Sequence, residues 1–188
     1  MDRFVEIHAF DPSGVIKEEQ RNNSLRLAQI FIKEKLSNAE YSVSILNEDL
    51  GKFIHSNRLQ NYLYQIKESV EIRIITRIKT IKENNEIIYK REDVYNALKT
   101  IRDDFELRGN NICIRNLDQY YKGNLIHDRI IIVDKDIFLL GHNICSIGEE
   151  NKGYSVAAFI PFEILGINNE IIEDFNNLWK DLEGFVIE

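Results

Sequence analysis

The chain is poor in the residues that break or staple structure. Its 188 residues include two prolines, nine glycines, two cysteines and one tryptophan. So few breakers argue against long linkers and low-complexity segments, and no internal repeat is visible. The cysteines, Cys113 and Cys145, form no metal-spaced pair. They are expected to be reduced and buried, with a cytoplasmic location. Two cysteines and four scattered histidines do not readily supply a zinc site. No run approaches the roughly 20 apolar residues that a membrane span needs. The opening Met1 to Glu6 lacks the apolar stretch of a secretory leader, so none is expected. The hydrophobic content of 44% suffices for an ordinary core. At this length a single domain over residues 1–188 is the expectation.

Charge is unevenly spread. The net charge is −7, but residues 134–188 hold 3 basic and 11 acidic side chains, whereas residues 71–133 hold 12 and 10. A slightly positive middle segment in an acidic protein permits a local anion site. It argues against sequence-blind binding of duplex DNA by the whole surface. Solvated helix faces would account for the same charges.

Periodicity predicts alternating strands and helices. Strands are expected over Arg3–Phe10, Tyr41–Leu46, Val70–Thr76, Asn111–Arg115, Leu125–Val133, Ile137–Leu140 and Tyr154–Ile160. Helices are expected over 16–37, over Asn57–Ser69 with Ser56 as its cap, over Glu92–Arg108 closed by Gly109, and over Ile167–Leu182. Residues 78–89 read as a polar loop. The alternation indicates an α/β sheet layered by helices.

One cluster carries chemistry: Leu125-Ile-His127-Asp128-Arg129, a β-branched run to Asp134, then Gly141-His142-Asn143. In a strand, residues i and i+2 share a face, so His127 and Arg129 are expected to point the same way. A neutral imidazole can attack an electrophile, and a guanidinium can hold an oxyanion at two points. Together they suggest phosphate chemistry. A lone histidine on a strand is otherwise commonly a satisfied core residue, and Asp134 has a structural alternative in fixing a turn. The tyrosines, Tyr120 and Tyr121 included, read mainly as packing residues. That pair stands closest upstream of His127 and is the best placed to flank a pocket.

The cluster resembles the signature of the phospholipase D superfamily: His-x-Lys, four residues, Asp, six residues, Gly-Ser. Here the spacing is His127-x-Arg129, four residues, Asp134, six residues, Gly141. Arg129 stands in the lysine's place and His142 in the serine's. The stretches Lys67–Thr76, Leu107–Arg115 and Phe175–Trp179 are similar to the family's flanking elements, in the same order. The resemblance implies an α/β fold with a phospholipase D-like mixed central sheet and helices on both faces. It implies a cofactor-free, metal-independent phosphodiesterase, most plausibly a nuclease, working through a phosphohistidine. The catalytic set would be His127, Arg129 and Asp134, the last fixing the turn or orienting His127. His142, Asn143 and Tyr121 would bind substrate. A hairpin turning at Lys135-Asp136 would set His142 opposite Arg129.

Only one motif is present, so two histidines at one phosphate require a homodimer, with His127 and Arg129 of two chains meeting at a two-fold axis. The substrate would be a phosphodiester, nucleic acid before lipid. Restoring the signature by Arg129→Lys is expected on this reading to retain or raise activity. Another reading is a module without turnover that binds phosphate groups or a protein partner. A subunit of a bacterial defence system is a further one.

Overall fold

Runs such as Glu71-Ile-Arg-Ile-Ile-Thr76 and Arg129-Ile-Ile-Ile-Val133 are rich in β-branched residues, which suit a pleated surface buried on both sides. The structure, a computed structural model, describes residues 6–8, 29–54, 56–118, 129–140, 143–146, 156–160 and 167–188. Strand β1 is Glu6–His8, followed by helix α1 at residues 29–37, β2 (Ser42–Leu46) and α2 (Arg58–Leu63). Then come β3 (Glu71–Thr76), β4 (Ile81–Glu83), β5 (Glu86–Tyr89), α3 (Arg91–Leu107) and β6 (Ile112–Asn116). β7 (Arg129–Val133), β8 (Asp136–Leu140), β9 (Val156–Ile160) and α4 (Ile167–Asp181) complete the order. Among the described residues seven strands form one sheet in the order β1-β9-β8-β7-β2-β3-β6. β2, β3 and β6 run parallel, while β7, β8, β9 and β1 join antiparallel. The expected mixed α/β sheet is therefore present.

Alternation along each strand divides the core in two. Val43 and Ile45 of β2, Ile72 and Ile74 of β3, and Ile131 and Val133 of β7 face α1, α2 and α3. Leu46, Ile75 and Ile132 face the opposite side, where Phe175 of α4 packs with Ile171, Ile172 and Trp179. Helices thus cover both faces. Ile32 and Leu36 of α1 are fully buried, so this helix belongs to the core. Under α4, Arg73 donates to Ser44 Oγ at 3.1 Å and to Asn176 Oδ1 at 2.9 Å, with its guanidinium 5.4 Å from the Phe175 ring centre. Arg115 lies 4.0 Å from the Trp179 ring centre. Both lay the guanidinium against an aromatic ring of α4, and Arg115 Nη1 donates to Trp179 O while its Nε is buried without a hydrogen bond among the described residues.

Helix ends follow their chemistry. Asp93 Oδ2 accepts the Lys90 N–H at 2.8 Å at the start of α3. At its end Gly109 adopts φ +91, the Gly109 N–H reaches Glu106 O, and the Asn110 N–H reaches Phe105 O. That double closure needs a residue tolerant of positive φ. Gly51 matters for a different reason: a Cβ there would meet Val94 Cγ1 of α3 at 2.9 Å.

Several expectations are corrected. Residues 78–89 are not a loop throughout. They contain the β4–β5 hairpin, turning at Asn84 (φ 50) and Asn85 (φ 67). Two adjacent asparagines at positive φ match the right-handed twist of the flanking strands. Ser56 does not cap α2: its hydroxyl donates to Phe53 O at 2.9 Å and closes the preceding 3-10 turn, Leu50–Phe53. α2 ends at Leu63, capped by the Tyr64 N–H on Gln60 O, short of the expected Ser69. Cys145 is buried as expected, whereas Cys113 is only half-buried. Burial pushes the Cys145 thiol up to about 12, against the smaller pull of Arg58. Residues 3–5, 9–10, 16–28, 125–128 and 154–155 of the expected elements lie outside the described residues. Among the described residues no helix is long and apolar enough to cross a membrane.

Candidate functional site

Parallel strands whose order reverses leave a crevice at their carboxyl ends, where α/β proteins usually bind ligands. Here the order reverses at β2, which pairs with parallel β3 on one side and antiparallel β7 on the other. β2 ends at Leu46, paired with Ile130. Arg129 opens β7 and is therefore at that edge, on the α1–α3 face. The residues that end or follow β2, β3, β6 and β8 there are polar and buried. Asn47, Glu48, Thr76, Asn116 and Asn143 are all at most 6% exposed, and they are five of the seven buried polar or charged residues among the described residues.

Backbone bonds fix this edge. The Asn47 N–H donates to Ile75 O at 3.0 Å, and the Arg77 N–H to Glu48 O at 3.2 Å. Asn47 Oδ1 accepts the Asp49 N–H at 3.3 Å. Asn116 Oδ1 accepts the N–H groups of Ile78 and Asp118, both at 3.0 Å. Asn143 Oδ1 accepts the Cys145 N–H at 2.9 Å and so starts the 3-10 turn Ile144–Ser146. The Nδ2 groups of Asn47 and Asn143 are buried and make no hydrogen bond among the described residues.

Charges converge at the same place. Arg129 Nη2 lies 3.9 Å from Glu48 Oε1 and 3.9 Å from Asp49 Oδ2. Arg77 Nη1 is 4.0 Å from Glu48 Oε2. Lys52 and Lys79 reach the two oxygens of Asp49 at 3.1 and 3.3 Å. Four cations surround two carboxylates, so the described residues carry a local positive excess inside an acidic protein. Burial alone would raise the Asp49 carboxyl, but the hydrogen bond from Lys52 and the charges of Lys79 and Lys52 outweigh it. The group is held below its ordinary value. A positive excess in a half-buried edge favours an anion.

The structure brings Arg129 and Asn143 of the expected set to this edge. His127, His142 and Tyr121 lie outside the described residues. Asp134 is placed elsewhere. It sits at the far end of β7, roughly 15 Å along the strand from Arg129. There its φ is +55, and its carboxylate accepts the N–H groups of Glu40, Tyr41 and Ser42 at 3.0, 2.8 and 2.9 Å. Its observed work is to clamp the β7–β8 turn to the entry of β2. The expected hairpin register is corrected as well: the turn is Asp134–Lys135, and Arg129 pairs with Leu140, not His142.

The sequence reading missed Glu48, Asp49, Arg77 and Lys79. One signal pointed to them: each parallel apolar strand ends abruptly in charged or amide residues, Asn47-Glu48-Asp49 after β2 and Arg77-Ile78-Lys79 after β3. Among the described residues no group of three His, Cys, Asp or Glu side chains could hold a metal ion.

No family model matches the chain, and no curated protein matches it. Among solved structures, NucT from Helicobacter pylori is 17% identical with a TM-score of 0.47, covering 88% of this chain and 92% of its own. TrmBL2, an archaeal chromatin protein whose structure is described as showing a novel mode of DNA binding, is 15% identical with a TM-score of 0.49. That match covers 84% of this chain and 50% of the other, so the chain spans about half the length of TrmBL2.

Proposed function

We propose that this chain is a phosphodiesterase of the phospholipase D type, acting on nucleic acid without a metal ion. One observation carries the reading. Arg129, spaced from His127 as the signature requires, stands at the carboxyl edge of β2 as one of four cations around two carboxylates.

The chemistry follows from these groups. The His127 imidazole attacks phosphorus, a P–N bond forms, and the P–O bond to the leaving alkoxide breaks. Arg129 binds the non-bridging oxygens as charge builds on them. A second histidine gives the alkoxide its proton. In a two-fold dimer this is His127 of the partner subunit. The same histidine then takes a proton from water, which attacks phosphorus and releases His127 and a phosphomonoester. Asn143, His142 and Tyr121 form the substrate-binding set, while Asp134 supports the frame and takes no part in the chemistry.

The test uses purified chain with chelator present, offered single-stranded DNA, RNA and bis(p-nitrophenyl) phosphate. Wild type should cleave at least one, and His127→Asn should cleave none while folding normally. Wild type that binds phosphate through Arg129 yet cleaves nothing would replace this reading with a module lacking turnover.

A further inference from the structure

The arginine in the signature lysine's place has a structural counterpart. We propose that Glu48 and Asp49 are positioning residues for Arg129, orienting its guanidinium toward a phosphate through their ion pairs at Nη2. The inference rests on Arg129 being a phosphate ligand, as argued above. In the β2–β7 register Ile45 pairs with Ile131 and Leu46 with Ile130, so the chain leaving β2 passes beside Arg129. Both carboxylates approach the same nitrogen, Nη2, at 3.9 Å. Each is anchored from its other side: Glu48 by Arg77 at 4.0 Å, Asp49 by Lys52 and Lys79 at 3.1 and 3.3 Å. The Arg77 N–H bond to Glu48 O ties the ends of β2 and β3 together beneath them. The carboxylates are thus fixed points.

A guanidinium can serve two anions at once, because its five N–H groups lie on distinct edges of a plane. An ammonium is a point charge on a flexible stem. Beside two fixed carboxylates it would be drawn to them and away from a phosphate. The pair therefore selects arginine, and the expectation that Arg129→Lys retains or raises activity is reversed.

A simpler role for the carboxylates would be competition, in which they repel an incoming phosphate. The two roles predict opposite signs. Removing a competing charge tightens phosphate binding. Removing a positioning charge loosens it, even though the site becomes more positive.

Inorganic phosphate is titrated calorimetrically into the full chain, wild type and variants, with melting curves checking the fold. Glu48→Gln should weaken binding about tenfold. It should cause no further loss in the Arg129→Ala background. Arg129→Lys should weaken binding in the wild-type chain but not in the Glu48→Gln chain. If Glu48→Gln does not fold, Asp49→Asn should show the same pattern. Equal or tighter binding in the carboxylate variants overturns the proposal, as does an equal loss with and without Arg129. Wild type that binds no phosphate also overturns it. Failure of the hydrolase reading looks different: wild type binds phosphate, the cycle is non-additive, and no diester is cleaved.

Discussion

The carboxylate of Asp134 accepts three consecutive backbone N–H groups at the entry to β2. Charged acceptors of this kind are among the stronger local contacts, and the Ser42 donor among the three is half-buried. Asp134→Ala should cost about 2 kcal/mol in urea unfolding, with phosphate affinity unchanged, since the residue is remote from Arg129. A loss of phosphate binding without loss of stability would return Asp134 to the site. Asp49 makes a different demand. Its folded value is depressed, so its contribution to stability is complete above the unfolded value near 3.9 and is lost as pH falls through the folded value. The stability gap between wild type and Asp49→Asn should be constant from about pH 6 to 8 and close below about pH 4. A gap independent of pH in acid urea titrations would contradict the assignment. At this scale Arg129 could be singled out from the sequence by its spacing from His127 alone. Glu48 and Asp49 could not be, because two acidic residues after a short strand look like any solvated turn until the register sets them beside Arg129.

Among the elements, the strands with the densest β-branched runs were the readable ones, and β3, β6, β7 and β8 all lie in the main sheet. The β4–β5 hairpin was not readable. Its segment is short and polar, and Asn84-Asn85 signals a tight turn less strongly than Asn-Gly does. That turn offers a test: Asn85→Gly should raise the melting temperature, because glycine adopts φ 67 without the Cβ penalty. Asn85→Val should lower stability by about 1–2 kcal/mol. A value unchanged in both would mean that the hairpin contributes nothing to cooperative unfolding. α4 was legible from its apolar stripe, and its anchor is Phe175, 3% exposed against Leu46, Ile75 and Ile132. Phe175→Ala should cost about 3–5 kcal/mol by chemical denaturation, the usual cost of truncating a buried aromatic. A cost below about 1 kcal/mol would mean that α4 packs loosely on its face.

For the whole molecule, strand order was the least legible property. β1 pairs with β9, about 150 residues later, in the register Glu6↔Ala158 and His8↔Val156, and no local pattern announces such a partner. The same scale governs the proposed chemistry. A phosphohistidine route needs one histidine to attack and another to protonate the leaving group, and the spacing that singles out His127 occurs once in the chain. If the second histidine comes from a partner, wild-type and His127→Asn subunits mixed and allowed to exchange should not share activity in proportion to dose. A site that needs His127 from both chains survives only in dimers of two wild-type subunits. An equal mixture should therefore keep about one quarter of the full activity, whereas independent sites would keep about one half. Sedimentation of the same mixtures should show dimers throughout. Activity that follows the wild-type fraction linearly, or a monomer that cleaves at full rate, would place the second proton carrier within one chain. His142 would then be the first candidate, since it stands in the signature serine's place.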